Sequence, residues 1–185
     1  MTFSIVARCS RTGMFGVAVS SSSPAVAARC AYAQAGVGAV YRQVLAVDVT
    51  GTTAIHSGPK ALGIWAEARA DNAACGGNML AHDGVPQAMV EAFLVSEGHL
   101  GDRLIATMRA ALKAGGEVGP VHSAGMKLVR EVAWPVADLR CDWTDDCPIE
   151  QLASLWEIYK PQLDAYVTRA INPSDAPSYG VPGDE

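Results

Sequence analysis

The sequence predicts one α+β domain built on antiparallel sheet. Strand patterns come first, two helical patterns occupy the middle of the chain, and a strand pair and a last helix follow. Like elements therefore occur in runs, whereas a parallel α/β sheet requires strands and helices to alternate. The 185 residues suffice for one sizeable core, and no linker or internal repeat divides them.

The chain opens with a predicted hairpin. Apolar and polar residues alternate over 2–9, which is the two-residue period of a strand. A Thr-Gly pair at 12–13 supplies turn residues, and 15–21 predicts the second strand. Pro24 ends that strand. The Ala-rich stretch 25–35 fits a helix or a strand, and of the three possibilities we favour a short irregular segment.

Short strands follow one another in the next third of the chain. Small or apolar runs and hairpin-loop residues predict strands at 36–40, 44–48 and 52–56. Residues 61–69 fit a helix or a strand equally well, and the glycine-marked stretch 75–80 predicts a strand or a bulge. Asp48 lies in a hairpin loop, where an Asx-type turn is its expected role.

The helices carry their own start and stop signals. Pro86 favours a first helical turn before 87–96, and the next helix opens at 101–102 and ends at a Gly-Gly pair. After strands at 124–132 and 136–141, Asp145 or Asp146 caps a helix that Pro161 kinks or ends. The prediction is therefore a domain over 1–172 and a Pro/Gly-rich, extended tail over 173–185.

Composition excludes several classes of function. Fourteen Lys and Arg against nineteen Asp and Glu give a net charge of −5, which argues against a nucleic-acid binder. No apolar run reaches the ~18 residues of a membrane span. Five scattered cysteines without C-x-x-C spacing indicate reduced thiols in a cytoplasmic protein rather than a metal site. No cofactor motif is present, and we expect none to be bound.

Thr2 is the one local feature that suggests catalysis. Methionine is commonly removed before a residue as small as Thr, and removal of Met1 would leave Thr2 with a hydroxyl and an unsubstituted α-amine. An α-amine titrates near ~7.7–8.0 and can accept the hydroxyl proton, so that one residue supplies both nucleophile and base. An ordinary strand start explains the same residue.

Motifs along nearly the whole chain resemble the DUF1028 family, a domain of unknown function placed in the N-terminal-nucleophile (Ntn) hydrolase superfamily. The motifs that carry the resemblance are TFSIVAR at 2–8, FGVAVSSSSPAV at 15–26, AGVGAV at 35–40, YRQ at 41–43, VD at 47–48, HSG at 56–58, GNMLA at 77–81, GPVHSAG at 119–125, DLR at 138–140 and APSYGVPGD at 176–184.

The resemblance implies an Ntn-like four-layer αββα sandwich of two antiparallel sheets, with the first residue of the first strand at the cleft. It also implies several tens of residues, including a covering helix, between the equivalents of Val40 and Tyr41, which are adjacent here. The segment is either deleted or left out of the numbering. We favour the second, because losing the helix would expose apolar sheet.

The hydrolytic hypothesis assigns roles to nine residues. Thr2 attacks the amide carbonyl of a small-molecule substrate, and Asn78 stabilises the oxyanion. Arg8 or Arg29 favours the neutral amine by like-charge repulsion. The remaining candidates, which would orient the amine or line the substrate pocket, are Ser20, Ser21, Ser22, His56 and Ser57. The acidic balance favours a neutral or cationic ligand over a polyanion.

The alternative is a catalytically inactive binding or assembly module on the same scaffold. Met1 in the sequence, the few catalytic groups and the low charge content favour it. Under either hypothesis we expect a homodimer or larger homo-oligomer. Two weaker alternatives are Cys9 as the nucleophile and a redox or metal protein that uses the five cysteines.

Overall fold

The computed structural model describes residues 2–41 and 44–178, and these form two antiparallel sheets packed face to face. Within those ranges the strands are β1 Thr2–Arg8, β2 Phe15–Ser21, β3 Ala31–Gln34, β4 Gly38–Tyr41, β5 Val44–Asp48, β6 Thr53–His56, β7 Ala66–Ala70, β8 Ala73–Asn78, β9 Ser123–Val129 and β10 Ala137–Cys141. The larger sheet has the order β10-β9-β2-β1-β8-β7, and the smaller one has the order β3-β4-β5-β6.

Helices cover one face of the six-stranded sheet. The helices of the described ranges are α1 Val26–Cys30, α2 Val85–Val95, α3 Leu100–Lys113, α4 Pro148–Tyr159 and α5 Leu163–Ile171, and of these α1 does not lie on that face. Helix α2 packs on β7 and β8, α3 on β1 and β2, and α4 on β9 and β10. The short α1 instead lies on the other face, against β2 and β9. No helix in the described part of the chain is long and apolar enough to cross a membrane.

Strand β1 contributes side chains to two hydrophobic cores, one beneath the helices and one between the two sheets. Phe3, Ile5 and Ala7 point towards the helices, whereas Val6 points into the space between the sheets. All four are fully buried, and burial of side chains as large as Phe3 and Ile5 stabilises the fold by roughly 1.5–3 kcal/mol each. Both faces of β1 are buried, because it lies inside the larger sheet, between β2 and β8.

The predicted class, α+β with two antiparallel sheets, is confirmed. The described ranges contain three layers: helices, the six-stranded sheet and the four-stranded sheet. Within those ranges no helix covers the outer face of the four-stranded sheet, so the fourth layer of the sandwich stays a prediction. Strand β4 runs directly through residues 40 and 41, where the resemblance places the missing segment.

The irregular segment expected over 25–35 is wrong, because this stretch forms α1 and β3. Long-range contacts explain the difference. Ala25 adopts a left-handed conformation with φ 51° and donates its N–H to the carbonyl of Asp142, which turns the chain into α1. Val26 and Ala27 are then buried between the sheets. None of these partners is visible in the local sequence.

The turn at Asp48 and the C-terminal end of α4 agree with the sequence predictions, whereas the N-cap of α4 and part of the tail differ from them. Asp48 makes the expected Asx-type turn, since its Oδ1 accepts the N–H groups of Thr50 and Thr52. Helix α4 ends at Tyr159, next to Pro161, as expected. Helix α4 has Cys147, not Asp145 or Asp146, at its N-cap, and no side chain caps it. In the tail, Pro173–Asp175 forms a 3-10 turn, and residues 179–185 lie outside the described residues.

Gly125 of β9 sets how closely α1 approaches the larger sheet. A Cβ at Gly125 would overlap the Cβ of Ala27 in α1. We expect Gly125→Ala to lower the free energy of unfolding by about 1–3 kcal/mol, measured by denaturant unfolding. Gly58→Ala is the matched control, because a Cβ there meets no atom within 4 Å. Equal midpoints for the two variants would contradict this account of α1.

Candidate active site

Four polar residues form a row across neighbouring strands at one end of the larger sheet. Thr2 of β1 pairs with Asn78 of β8, and Ser21 of β2 pairs with Ser123 of β9. The Thr2 hydroxyl donates a hydrogen bond to Ser21 Oγ at 3.3 Å, which joins the two pairs. All four side chains have the parity of the residues buried between the sheets, so the row lies on the face that meets the four-stranded sheet.

A cavity of about 630 Å³ opens above this row. Its floor is the end of β8, β1 and β2. One wall is α1, which lies on the β2 side, and the other is the 58–61 turn on the β8 side. The lining residues are Thr2, Ser21, Ser23, Val26, Arg29, Cys30, Gly58, Pro59, Lys60, Ala61 and Asn78. This volume is typical of a site for a small molecule.

Ser123 fixes the α1 wall to the sheet. Its hydroxyl donates to the carbonyl of Ser23 at 2.6 Å and accepts the N–H of Val26 at 3.3 Å. The left-handed Ala25 lies between these two anchored residues. A non-glycine residue in this conformation costs of order 1 kcal/mol and persists only where its surroundings hold it. The hydrogen bonds of Ser123 therefore hold Ala25 in a strained conformation, which keeps α1 at the edge of the cavity.

The Asn78 side of the floor is held in the same way. Met79 is left-handed with φ 53° and donates its N–H to the carbonyl of Leu62, while Leu80 donates to the carbonyl of Ile64. These bonds tie the end of β8 to the loop that contains the second wall. The Asn78 side chain makes no hydrogen bond to any residue of the described ranges, which leaves its amide N–H groups available to a ligand.

Glu117 is the functional candidate that the sequence did not reveal. It follows α3 and pairs with Leu80, just beyond β8. Both of its carboxylate oxygens accept the backbone N–H of Ser22, just beyond β2, at 3.3 Å. Since β8 and β2 flank β1, a residue that contacts both extensions lies beyond the start of β1. The carboxylate is therefore placed next to the amino side of Thr2.

Burial controls the ionisation of Glu117. The residue is only 5% exposed, and desolvation raises the pKa of its carboxyl group to about 7. The hydrogen bonds from Ser22 and the nearby His122 act in the opposite direction and offset part of the shift. A single Glu after two glycines carries no motif, so only the tertiary structure indicates its place in the site.

The structure brings some of the predicted residues together and separates others. Thr2, Asn78, Ser21 and Arg29 line one cavity. The Ser22 backbone lies behind the floor, on Glu117. Ser20 lies on the opposite face of β2, is fully buried and donates to the carbonyl of Ser123.

Four other candidates lie away from the cavity. Arg8 is at the far end of β1, about 20 Å along the strand from Thr2, and donates to Asn72 Oδ1. His56 ends β6 and is exposed, and Ser57 Oγ donates to Glu67. Neither of these two lines the cavity, although the adjoining 58–61 turn does. Cys9 is buried near the same far end as Arg8.

Two further observations bear on the chemistry of the site. No group of three potential metal ligands occurs among the residues that the structure describes. Met1, whose removal the hydrolytic hypothesis requires, lies outside the described residues.

A strand-initial hydroxyl, an adjacent amide and a cavity above them define a candidate small-molecule site in an α+β protein of two sheets. The sequence matches the family described as "Family of unknown function (DUF1028)" over residues 2–41 and 40–152. These ranges cover most of the chain, and the protein belongs to the DUF1028 family. The two ranges meet at the junction where the missing segment is expected.

A solved structure has a similar fold. It is the crystal structure of protein SPO2555 from Silicibacter pomeroyi, which is described as DUF1028. The two chains share 26% identity and a TM-score of 0.74, with 86% of this chain and 89% of that chain covered. No curated protein matches the chain.

Glu117 makes the stability of the fold depend on pH. Its pKa is raised from an ordinary value near 4.5 to about 7, so the folded chain holds this proton more tightly than the unfolded chain does. The resulting stabilisation is complete below pH 4.5 and is lost as the pH rises through 7. We expect Glu117→Gln to be more stable than the parent by about 3 kcal/mol at pH 8, and equally stable near pH 4.

Urea unfolding at the two pH values measures this difference. Glu97→Gln is the control, because Glu97 is exposed in a loop. A Glu117→Gln advantage of the same size at both pH values would show that the buried charge is not its cause.

Proposed function

We propose that this protein is an N-terminal-nucleophile hydrolase that cleaves an amide C–N bond of a small molecule, with Thr2 as the nucleophile. The observation that carries the proposal is the position of the Thr2 side chain. Thr2 is the first residue of β1, and its side chain lies on the floor of the cavity, between the Ser21 hydroxyl and the Asn78 amide. Ntn-superfamily membership and the four-layer sandwich are part of this proposal.

The first half of the reaction forms an ester. After removal of Met1, Thr2 Oγ attacks the substrate carbonyl carbon, and its proton passes to the Thr2 α-amine. The Asn78 side-chain N–H groups donate to the resulting oxyanion, which is the charge that must be stabilised in the transition state. The C–N bond then breaks, the amine returns the proton to the leaving nitrogen, and the acyl group stays on Oγ.

The second half regenerates the enzyme. Water enters the position that the leaving amine has vacated and gives one proton to the α-amine as it attacks the ester carbonyl. The C–O bond to Thr2 breaks, the proton returns to Oγ, and a carboxylic acid leaves. Asn78 again donates to the oxyanion. The chain's own residues therefore supply every group that the proton transfers require.

Glu117 fits this mechanism as a positioning residue. Its carboxylate lies beyond the start of β1, where the α-amine of a processed chain would be. An ionised carboxylate there accepts hydrogen bonds from the amine and raises the pKa of the ammonium form. Two adjacent groups that both titrate near neutral pH share protons, and their apparent pKa values belong to the pair.

The second candidate function is binding without catalysis. The cavity and its polar floor do not depend on removal of Met1, so an unprocessed chain would still bind a small molecule there. Such a chain has an amide nitrogen at Thr2 and lacks the base. The two functions therefore differ in one covalent feature. A homodimer or larger assembly remains an expectation under both.

Processing and nucleophile are tested together. We expect the intact mass of the native protein to lack one methionine residue, and a panel of N-acyl amides to be hydrolysed. Thr2→Ala should reduce hydrolysis by about a thousandfold or more, while Thr2→Ser, which keeps a hydroxyl, should retain part of it. Both variants allow removal of Met1 and should fold like the parent, because Thr2 is at a strand end. Undiminished hydrolysis by Thr2→Ala excludes Thr2 as the nucleophile.

The role of Glu117 has a separate measurement. Loss of its negative charge lowers the pKa of the α-ammonium group, so Glu117→Gln should move the acid limb of the kcat/KM profile to lower pH. The pH dependence of α-amine acylation by a small reagent should shift in the same direction. Glu97→Gln should change neither curve. If both curves of Glu117→Gln coincide with those of the parent, Glu117 does not act on the amine.

A further inference from the structure

The two walls of the cavity each present a positive charge above a neutral floor. Arg29 comes from α1, which lies on β2 and β9, and Lys60 comes from the 58–61 turn on the β8 side. Thr2 lies on the floor between these walls, because β1 is the strand between β2 and β8. The two cations therefore belong to opposite walls of one cavity, and Thr2 lies on the floor between those walls.

Neither cation is neutralised by a neighbouring acid. Within residues 2–41 and 44–178, Arg29 and Lys60 make no salt bridge, and no residue that lines the cavity is acidic. Both residues are exposed at the entrance. Glu117, beyond the start of β1, is buried and accepts the N–H of Ser22. Although the chain has a net charge of −5, the described lining of this cavity contains two cations and no acid.

Arg29 is also held in place. One of its guanidinium nitrogens donates to the carbonyl of Pro24 at 3.0 Å, which holds the head group near the start of α1. The remaining N–H groups keep the planar fork that matches a carboxylate. Lys60 supplies a second, more flexible charge from the opposite wall. Between them, Val26, Pro59 and Ala61 provide apolar lining.

We propose that the substrate is a small amide that carries a carboxylate, bound between Arg29 and Lys60 while its amide carbonyl lies against Thr2. This inference rests on the proposed function for the identity of the scissile bond, but the carboxylate subsite exists without it. One fork and one ammonium suit a single anionic group, and the apolar lining suits the carbon skeleton of an N-acyl amino acid. The acidic composition pointed to a neutral or cationic ligand, and the local charge of the cavity is the opposite.

Binding to a variant that cannot turn substrate over tests the subsite directly. The probes are a panel of N-acyl amino acids, each paired with its neutral primary amide and with an N-acyl aminoalkyl phosphate of similar length. Affinities are measured by calorimetry on Thr2→Ala, so that hydrolysis does not interfere. We expect each acid to bind about tenfold or more tightly than its amide, because charge-assisted hydrogen bonds are the stronger class.

Matched variants locate the effect. Arg29→Gln and Lys60→Gln, each in the Thr2→Ala background, should remove most of the preference for the acid and leave the affinity of the neutral amide unchanged. Arg11→Gln is the control, because Arg11 is also an exposed arginine that donates to one backbone carbonyl, that of Gly98. It should keep the full preference.

The outcomes separate this inference from the proposed function. Equal affinity for acids and amides, no measurable binding of the acids, or an equal loss in Arg11→Gln overturns the carboxylate subsite. Tighter binding of the phosphates overturns it in favour of a phosphorylated ligand. A preference for acids that depends on Arg29 and Lys60 supports it, even if the processed parent hydrolyses none of them. That last result would reject the hydrolase and keep the subsite.

Discussion

The pairing of β1 with strands on both sides is the constraint on which the site depends. Its residues 3–7 are fully buried, so the strand cannot slip without moving apolar side chains out of two cores at once. That register places Thr2 opposite Asn78 and beside Ser21. The positions of the polar side chains on the cavity floor are therefore determined by the packing of residues 3–7. The hydrogen bond between the Thr2 and Ser21 hydroxyls makes only a small further contribution.

Short sequence patterns predict those elements that are determined by residues close to one another in the chain. The alternation in β1 and β2, the Asx-type turn at Asp48 and the stop near Pro161 follow from short stretches of sequence, and all of them are present. Helix α1 is different, because its start depends on Asp142 and Ser123, which are about a hundred residues away in the chain. An alanine-rich stretch contains no sign of those partners.

The candidate site divides in the same way. Strand parity alone separates Ser20 from Ser21, since neighbouring residues of a strand point to opposite faces, so this distinction was available from the sequence. Arg8 points to the same face of β1 as Thr2 but is six residues farther along the strand. The length of six extended residues was therefore enough to exclude Arg8 from the site. The role of Glu117 could not be predicted from the sequence, because its position depends on contacts with Leu80 and Ser22, which lie beyond the ends of two separate strands.

The unequal construction of floor and walls has a consequence for how this protein could diversify. The floor consists of paired strand ends, which cannot widen without breaking ladder hydrogen bonds, whereas the walls are one short helix and one surface turn. Replacement or lengthening of those two segments would reshape the entrance and leave Thr2, Asn78 and Ser21 in register. New ligand preferences should therefore arise in this scaffold from insertions and exchanges around 24–30 and 58–61, with the polar groups of the floor inherited unchanged.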